Sequence, residues 1–286
     1  MRHPAAVGEV RSDPGLFGPS SEAWRLDREA FLLLGAGPRA LLLQLAHPSV
    51  ATGVDDHSDF RADPWGRLRG TLRSYLAIIY GSTATARAEI RRLNELHRSI
   101  TGPGYRARDP ELSLWVHATL IDSTIAVNDA WLGPLGFDRR AAFYAETIPI
   151  GRAFGIRDDR LPADLGAFER YLSDQLGPSG AVRVGPLARE LAGTIIHPPL
   201  PGPFGGLPVP TGLYDWSMWP AIGLLPPVVR EAYGFRWGTR EQLVARWLVA
   251  TWRAWRPALP ASWREMPQAR AADRRIRGSA PPSTTG

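Results

Sequence analysis

Residues 109–131 read DPELSLWVHATLIDSTIAVNDAW. An aspartate followed by proline is a helix start: the carboxylate accepts an orphan N–H of the first turn, and proline needs no N–H there. Beyond it Leu114, His117, Leu120, Ile121 and Thr124 recur at three-and-four spacing to about Trp131. Apolar residues at that spacing line one face of an α-helix.

The same signals recur on both sides. Ser20–Ser21 precedes a helix carrying Trp24, Leu26, Phe31, Leu32 and Leu33. Pro38 is expected to open a second, through the nearly all-apolar Leu41–Leu45, which Pro48 interrupts after His47. Asp63-Pro64 repeats the acid–proline start, and Trp65, Leu68, Leu72, Tyr75, Leu76 and Ile79 follow until Gly81. Thr83 is expected to cap the next helix, with Ile90, Leu93, His97 and Ile100 on its apolar face. Asp138 is expected to cap one running to Gly155, and shorter segments fall near 163–176 and 186–196. The proline- and glycine-rich 197–212 stretch, HPPLPGPFGGLPVPTG, forbids regular structure and reads as an ordered loop. Helices resume at about 214–225, 228–233 and 239–255. No stretch alternates apolar and polar as a strand does. The fold class is all-α: one domain of nine to eleven helices over 21–256, an irregular arm at 1–20 and a largely disordered tail at 257–286.

Composition narrows the chemistry. The chain has no cysteine, which excludes disulfides, thiolate-bound zinc, iron–sulfur clusters and thiolate-ligated haem. All 34 basic residues are arginine, and the net charge is +6. The arginines are scattered among acids, so no nucleic-acid face is expected. No secretory h-region opens the chain and no apolar run reaches a membrane span, so a cytoplasmic protein is expected. Seven of eleven tryptophans fall between Trp216 and Trp263, dense enough to build a bulky core or line a wide apolar pocket.

Phosphate loops, dinucleotide fingerprints, nucleophile elbows and HExxH are all missing. No helical histidine has a second ligand at i+3 or i+4, so a metal held by one protein ligand is the arrangement left, and haem is its commonest form. His97 and His117 lie on apolar helix faces; His57 precedes the Asp63-Pro64 cap, His47 precedes Pro48, and His3 and His197 lie in the arm and the loop. His117 is the first candidate, because LWVHATLIDST supplies an apolar wall and small neighbours; His97 is the second. Arg67 and Thr71 are four apart and share a helix face. With Arg69 they form a polar patch able to meet a cofactor carboxylate or bound oxygen.

Four stretches then stand together: GPRALLLQLAHPSVATGVDDHSDF at 37–60, DPWGRLRGT at 63–71, LHRSITG and GYRARDPELSLWVHATLIDS within 96–123, and GPLGFDRRAAFYAE at 133–146. In combination they resemble the MpaB-type oxygenases and the rubber oxygenases (latex-clearing proteins), over about residues 22–256. The resemblance implies a globin-like helical core, haem b bound through one histidine, and dioxygen-dependent cleavage of carbon–carbon double bonds in isoprenoid chains. It implies His117 as the axial ligand, by its His-Ala segment, and Arg67 and Thr71 on the side where oxygen binds. The lysine before that threonine in rubber oxygenases is Gly70 here. His57, His97 and Arg69 are the remaining cofactor-binding candidates. An apolar, prenylated or otherwise unsaturated small molecule is the expected substrate. A haem protein that is not an oxygenase, and a helical binding protein without haem, are the rival readings.

Overall fold

The computed structural model describes residues 13–58, 61–197 and 211–278, the side chains of 33–34 and 211–215 excepted. His3, most of the proline-rich loop and the last eight residues lie outside that set.

Helix α6 (Pro110–Trp131) is the spine. Asp109 caps it by accepting the Glu111 N–H at 2.8 Å, as the acid–proline pair requires. Its buried positions include Leu114, Trp115, Ala118, Ile121, Ile125 and Val127, with Thr119, Ser123, Thr124 and Asn128 among them. Helix α2 (Ala30–Leu45) lies along it. Small residues let the two backbones approach: a Cβ on Gly35 would stand 3.0 Å from Val127 Cγ1. The buried polar groups are then satisfied across the contact. Trp115 Nε1 donates to the Leu43 carbonyl at 3.2 Å and Gln44 Nε2 to Thr119 Oγ1 at 3.1 Å. Arg39, 4% exposed, pairs with Asp122 and donates to Ser123 Oγ and the Leu224 carbonyl.

Pro38 does not open a helix of its own, as its position suggested. It lies inside α2, where loss of one backbone hydrogen bond is outweighed by the packing on α6. Helix α3 (Pro48–His57) turns away from α2 by 105°.

Helices α4 (Pro64–Tyr80) and α5 (Thr83–Arg98) are joined only by Gly81 and Ser82 and fold back on each other. The first turn of α4 therefore lies beside the last turn of α5. Asp63 caps α4 through the Gly66 N–H at 2.7 Å, and Ser82, one residue before the expected Thr83, caps α5. A two-residue hairpin, β1 (Thr101–Gly102) and β2 (Tyr105–Arg106), turns at Gly104, whose φ of +80° suits a residue without Cβ.

Helix α7 (Phe137–Ala153) starts at Phe137, one residue before Asp138, and closes on α6 and on the short α1 (Glu22–Leu26). The α7 carboxylate of Glu146 caps α1, accepting the N–H groups of Glu22 at 3.0 Å and Ala23 at 2.9 Å. Helices α8 (Leu165–Leu176), α9 (Pro186–Ile196), α10 (Thr211–Gly223), α11 (Pro227–Tyr233) and α12 (Thr239–Trp255) complete the body. Short pieces such as α1 and α11 raise the number of helices above that expected.

The stretch from residue 257, expected to be largely disordered, is folded as far as Gly278: α13 (Ala261–Arg264) and α14 (Pro267–Gly278) follow α12. Helix α14 packs on α4 through Ala269 and Ala272, both fully buried, and Arg275 donates to the carbonyls of Tyr80 and Asp13. Its apolar stripe is made of alanines in an arginine-rich sequence, so it carries little hydrophobic periodicity.

Candidate functional site

The α4–α5 fold-back brings two of the sequence candidates together. Arg67 lies in the first turns of α4 and His97 in the last turn of α5. They are close enough for the guanidinium charge to hold the imidazole pKa down, after burial and with help from Arg108 and Arg92. The Arg67 side chain makes no hydrogen bond or ion pair among the described residues, and burial lowers its pKa. Yet Arg67 and Thr71 keep much of their surface accessible, as do Leu68 and Leu96 beside them, at 41% and 44%. Arg67 thus stands at the protein surface beside His97, its guanidinium without a partner among the described residues. This accessible surface between the start of α4 and the end of α5 is the candidate cleft. An accessible guanidinium without a protein partner is open to an incoming carboxylate.

Along α4 the stripe continues from Arg67 and Thr71 to Tyr75, each one turn on. The Tyr75 hydroxyl donates to the Asp27 carboxylate at 2.9 Å, and Thr124 of α6 also hydrogen-bonds it. Burial pushes the Asp27 carboxyl up to about 7. This polar group was not singled out in the sequence; the only signal was the charged trio Asp27, Arg28 and Glu29 between the apolar runs of α1 and α2.

His117 sits deeper, between α6 and α7. Its Nε2 is buried and has no hydrogen-bond partner. The ring's other nitrogen is the one that faces the Thr147 backbone carbonyl. Burial drives the pKa down to about 4, so the imidazole is neutral. Nε2 is also covered: a Cβ built on Gly151 would stand 3.3 Å from it and 3.0 Å from Leu161 Cδ2. The nitrogen is free in its hydrogen bonding and closed in its packing.

The other candidates lie apart. His57 ends α3 and is exposed, with Nε2 at 3.1 Å from the Thr101 carbonyl. Arg69, two residues from Arg67, faces roughly 200° away on α4 and is exposed. His47 caps the start of α3, its Nδ1 buried without a partner. Among the described residues no three His, Asp or Glu side chains converge on a metal-ion site.

The tryptophan-rich region does not gather at the histidines. Trp237, Pro220, Leu224 and Val249 line a mainly apolar cleft of about 440 Å³ that reaches α6 at Ala130. Thirteen residues along a helix put Ala130 about 20 Å from His117. Trp247, Trp255 and Trp263 are exposed at 57%, 66% and 76%.

Comparison with known proteins agrees with the four sequence stretches. The family model described as ER-bound oxygenase mpaB/B'/Rubber oxygenase, catalytic domain, matches residues 24–254. An uncharacterized protein of Mycobacterium tuberculosis is 28% identical over 223 residues, 74% of this chain and 84% of its own length. An uncharacterized protein of Mycobacterium bovis matches to the same extent. No solved structure matches significantly.

Proposed function

The chain belongs to the family of MpaB and rubber oxygenase catalytic domains, and from that premise we propose a haem-dependent oxygenase whose cofactor enters the α4–α5 cleft with His97 as iron ligand. The observation that carries this reading is Arg67, accessible and without a side-chain partner among the described residues, beside the half-buried His97 ring. The residues of the cleft fit the group. A neutral imidazole with no hydrogen bond among the described residues offers a nitrogen for iron. Arg67 and Arg108 supply cations for the two cofactor carboxylates. Leu68 and Leu96 supply apolar surface for the macrocycle.

When bound, the haem iron supplies the activation of dioxygen. The chain's own residues do the rest. Arg67 would hold a carboxylate of the cofactor by a charged hydrogen bond. Thr71, one turn along α4 and exposed, would offer a hydroxyl able to donate to an oxygen atom there. Gly70 leaves no ammonium at the position before it, so Thr71 and Arg67 are the donors α4 can offer. The apolar surface of Leu68 and Leu96 suits an apolar, unsaturated substrate of isoprenoid type over a charged one.

A second reading keeps the sequence preference for His117. It is favoured by the free Nε2 and by the carbonyl that orients the ring, the arrangement common in metal-bound histidines. Against it stands the burial of that nitrogen, with room beside it at Gly151 too small for a methyl group at ordinary contact. Absorption spectra of protein expressed with haem supplementation distinguish the two. A Soret band present in wild type and in His117→Ala but lost in His97→Ala is expected. Loss only in His117→Ala would move the ligand to α6. No band in wild type would overturn the haem reading, and a band without dioxygen-dependent turnover of any isoprenoid alkene would leave a haem protein of another kind.

A further inference from the structure

Helix α12 carries an apolar strip on the side that faces away from the protein. Its inner side is accounted for: Ala245 is buried, and Leu248, Val249 and Trp252 pack with Leu32, Val127 and Trp131. A solvent-facing surface would then be polar, as on α5, whose outward positions carry Arg, Glu and Thr. On α12 it is not. At 100° per residue, Ala250, Leu243, Ala254 and Trp247 fall within a sector of roughly 60°. All four are exposed, Leu243 at 60% and Trp247 at 57%. Trp216 of α10 extends the strip, its ring centroid 6.1 Å from that of Trp247.

Arginines flank the strip on both sides: Arg246 roughly 60° to one side of Leu243 and Arg240 the same angle to the other. Both are exposed. The single acid of the helix, Glu241, is turned back to accept the Gly238 N–H at 2.8 Å. The strip therefore carries Leu and Trp at its centre, positive charge along its rims and no negative charge.

We propose that this face of α12 docks on the surface of an anionic lipid bilayer. Indole rings settle at the boundary between acyl chains and headgroups, apolar body inward and N–H outward. Arginine stems lie along apolar surface while their guanidinium groups reach lipid phosphates. The chain's net charge of +6 draws it to a negative surface. The contact is with the surface, since no single helix among the described residues is long and apolar enough to cross a membrane. A second copy of this chain suits the strip less well: two-fold pairing would set arginine rims against arginine rims with no acid between. The cleft of Trp237 and Val249 opens along the same helix, so docking would bring that cleft near the lipid. The inference is independent of the cofactor assignment.

Cosedimentation with phosphatidylcholine vesicles, with and without a one-third admixture of phosphatidylglycerol, tests it. Wild type is expected to pellet with the mixed vesicles and to show a blue-shifted tryptophan emission. The double variant Leu243→Ser, Trp247→Ser is expected to lose binding roughly tenfold or more. Its circular dichroism and melting temperature report that it folds. Arg240→Gln and Arg246→Gln are expected to lose roughly fivefold each, on the mixed vesicles only. Wild type left in the supernatant would overturn the proposal, as would undiminished binding by Leu243→Ser, Trp247→Ser. A dimer in light scattering that the double variant dissociates would assign the face to a second copy instead.

Discussion

The Tyr75 hydroxyl donates to the Asp27 carboxylate at 2.9 Å, deep under the stripe that begins with Arg67 and Thr71. Asp27 is 1% exposed, and burial raises its pKa from 3.8 to about 7, with the Tyr75 bond opposing. The folded protein thus holds this proton up to about pH 7, while the unfolded chain releases it near its ordinary value. Stability from this group is complete below that ordinary value and falls as pH rises toward neutrality. A shift of this size corresponds to on the order of 4 kcal/mol. Asp27→Asn keeps an acceptor for Tyr75 without the charge. It is expected to flatten the pH dependence of the melting temperature across this window and to raise stability at pH 8. Unchanged pH dependence in chemical denaturation would place the titration elsewhere.

Gly151 offers a separate probe of His117. An alanine methyl there would stand 3.0 Å from Leu161 Cδ2 and 3.3 Å from His117 Nε2, tighter than ordinary contact. Overpacking of this kind costs about 1–3 kcal/mol. Gly151→Ala is expected to lower the melting temperature while leaving the Soret band of haem-loaded protein in place. A displaced or lost band would identify the His117 nitrogen as the iron site.

Arg39 joins three elements through Asp122, Ser123 and the Leu224 carbonyl. Removing one partner of a buried ion pair leaves an uncompensated charge and broken hydrogen bonds. Arg39→Met is expected to cost about 3 kcal/mol in urea denaturation. Asp122, 29% exposed, can turn to water, so Asp122→Asn is expected to cost less. Equal costs would mean that the carboxylate is as enclosed as the guanidinium.

What the sequence made legible followed the strength of local signals. The Asp109-Pro110 and Asp63-Pro64 starts carried both a capping acid and a preset φ, and both helices begin at those prolines. Pro38 carried the same residue without the acid, and it lies inside α2. Helix α14 was missed because alanines bury in it, and alanine among arginines gives no apolar stripe. At the site, four-residue spacing placed Arg67 and Thr71 on one face of α4, although Tyr75, one turn further, reads as part of the apolar stripe. It could not show that α5 folds back to set His97 beside Arg67, which depends on the tight Gly81–Ser82 link. Nor could it show that Gly151, thirty-four residues beyond His117, lies beside that ring with too little room for a methyl group at ordinary contact.

Arg67 gives the sharpest test of the cleft, because loss of its charge moves two readouts in opposite directions. In the free protein its guanidinium keeps much of its surface accessible and has no partner among the described residues, so Arg67→Gln is expected to leave stability unchanged or to raise it. In haem-loaded protein the same substitution removes a charged hydrogen bond to a carboxylate. Such a bond is worth about 1.5–3 kcal/mol, or a tenfold or greater loss of affinity. Haem titration followed at the Soret band measures the second effect, and thermal melting of haem-free protein measures the first. A merely structural arginine would lower both together. Unchanged haem affinity with raised stability would mean that the cofactor carboxylates do not reach α4, and would remove the observation on which the His97 assignment rests.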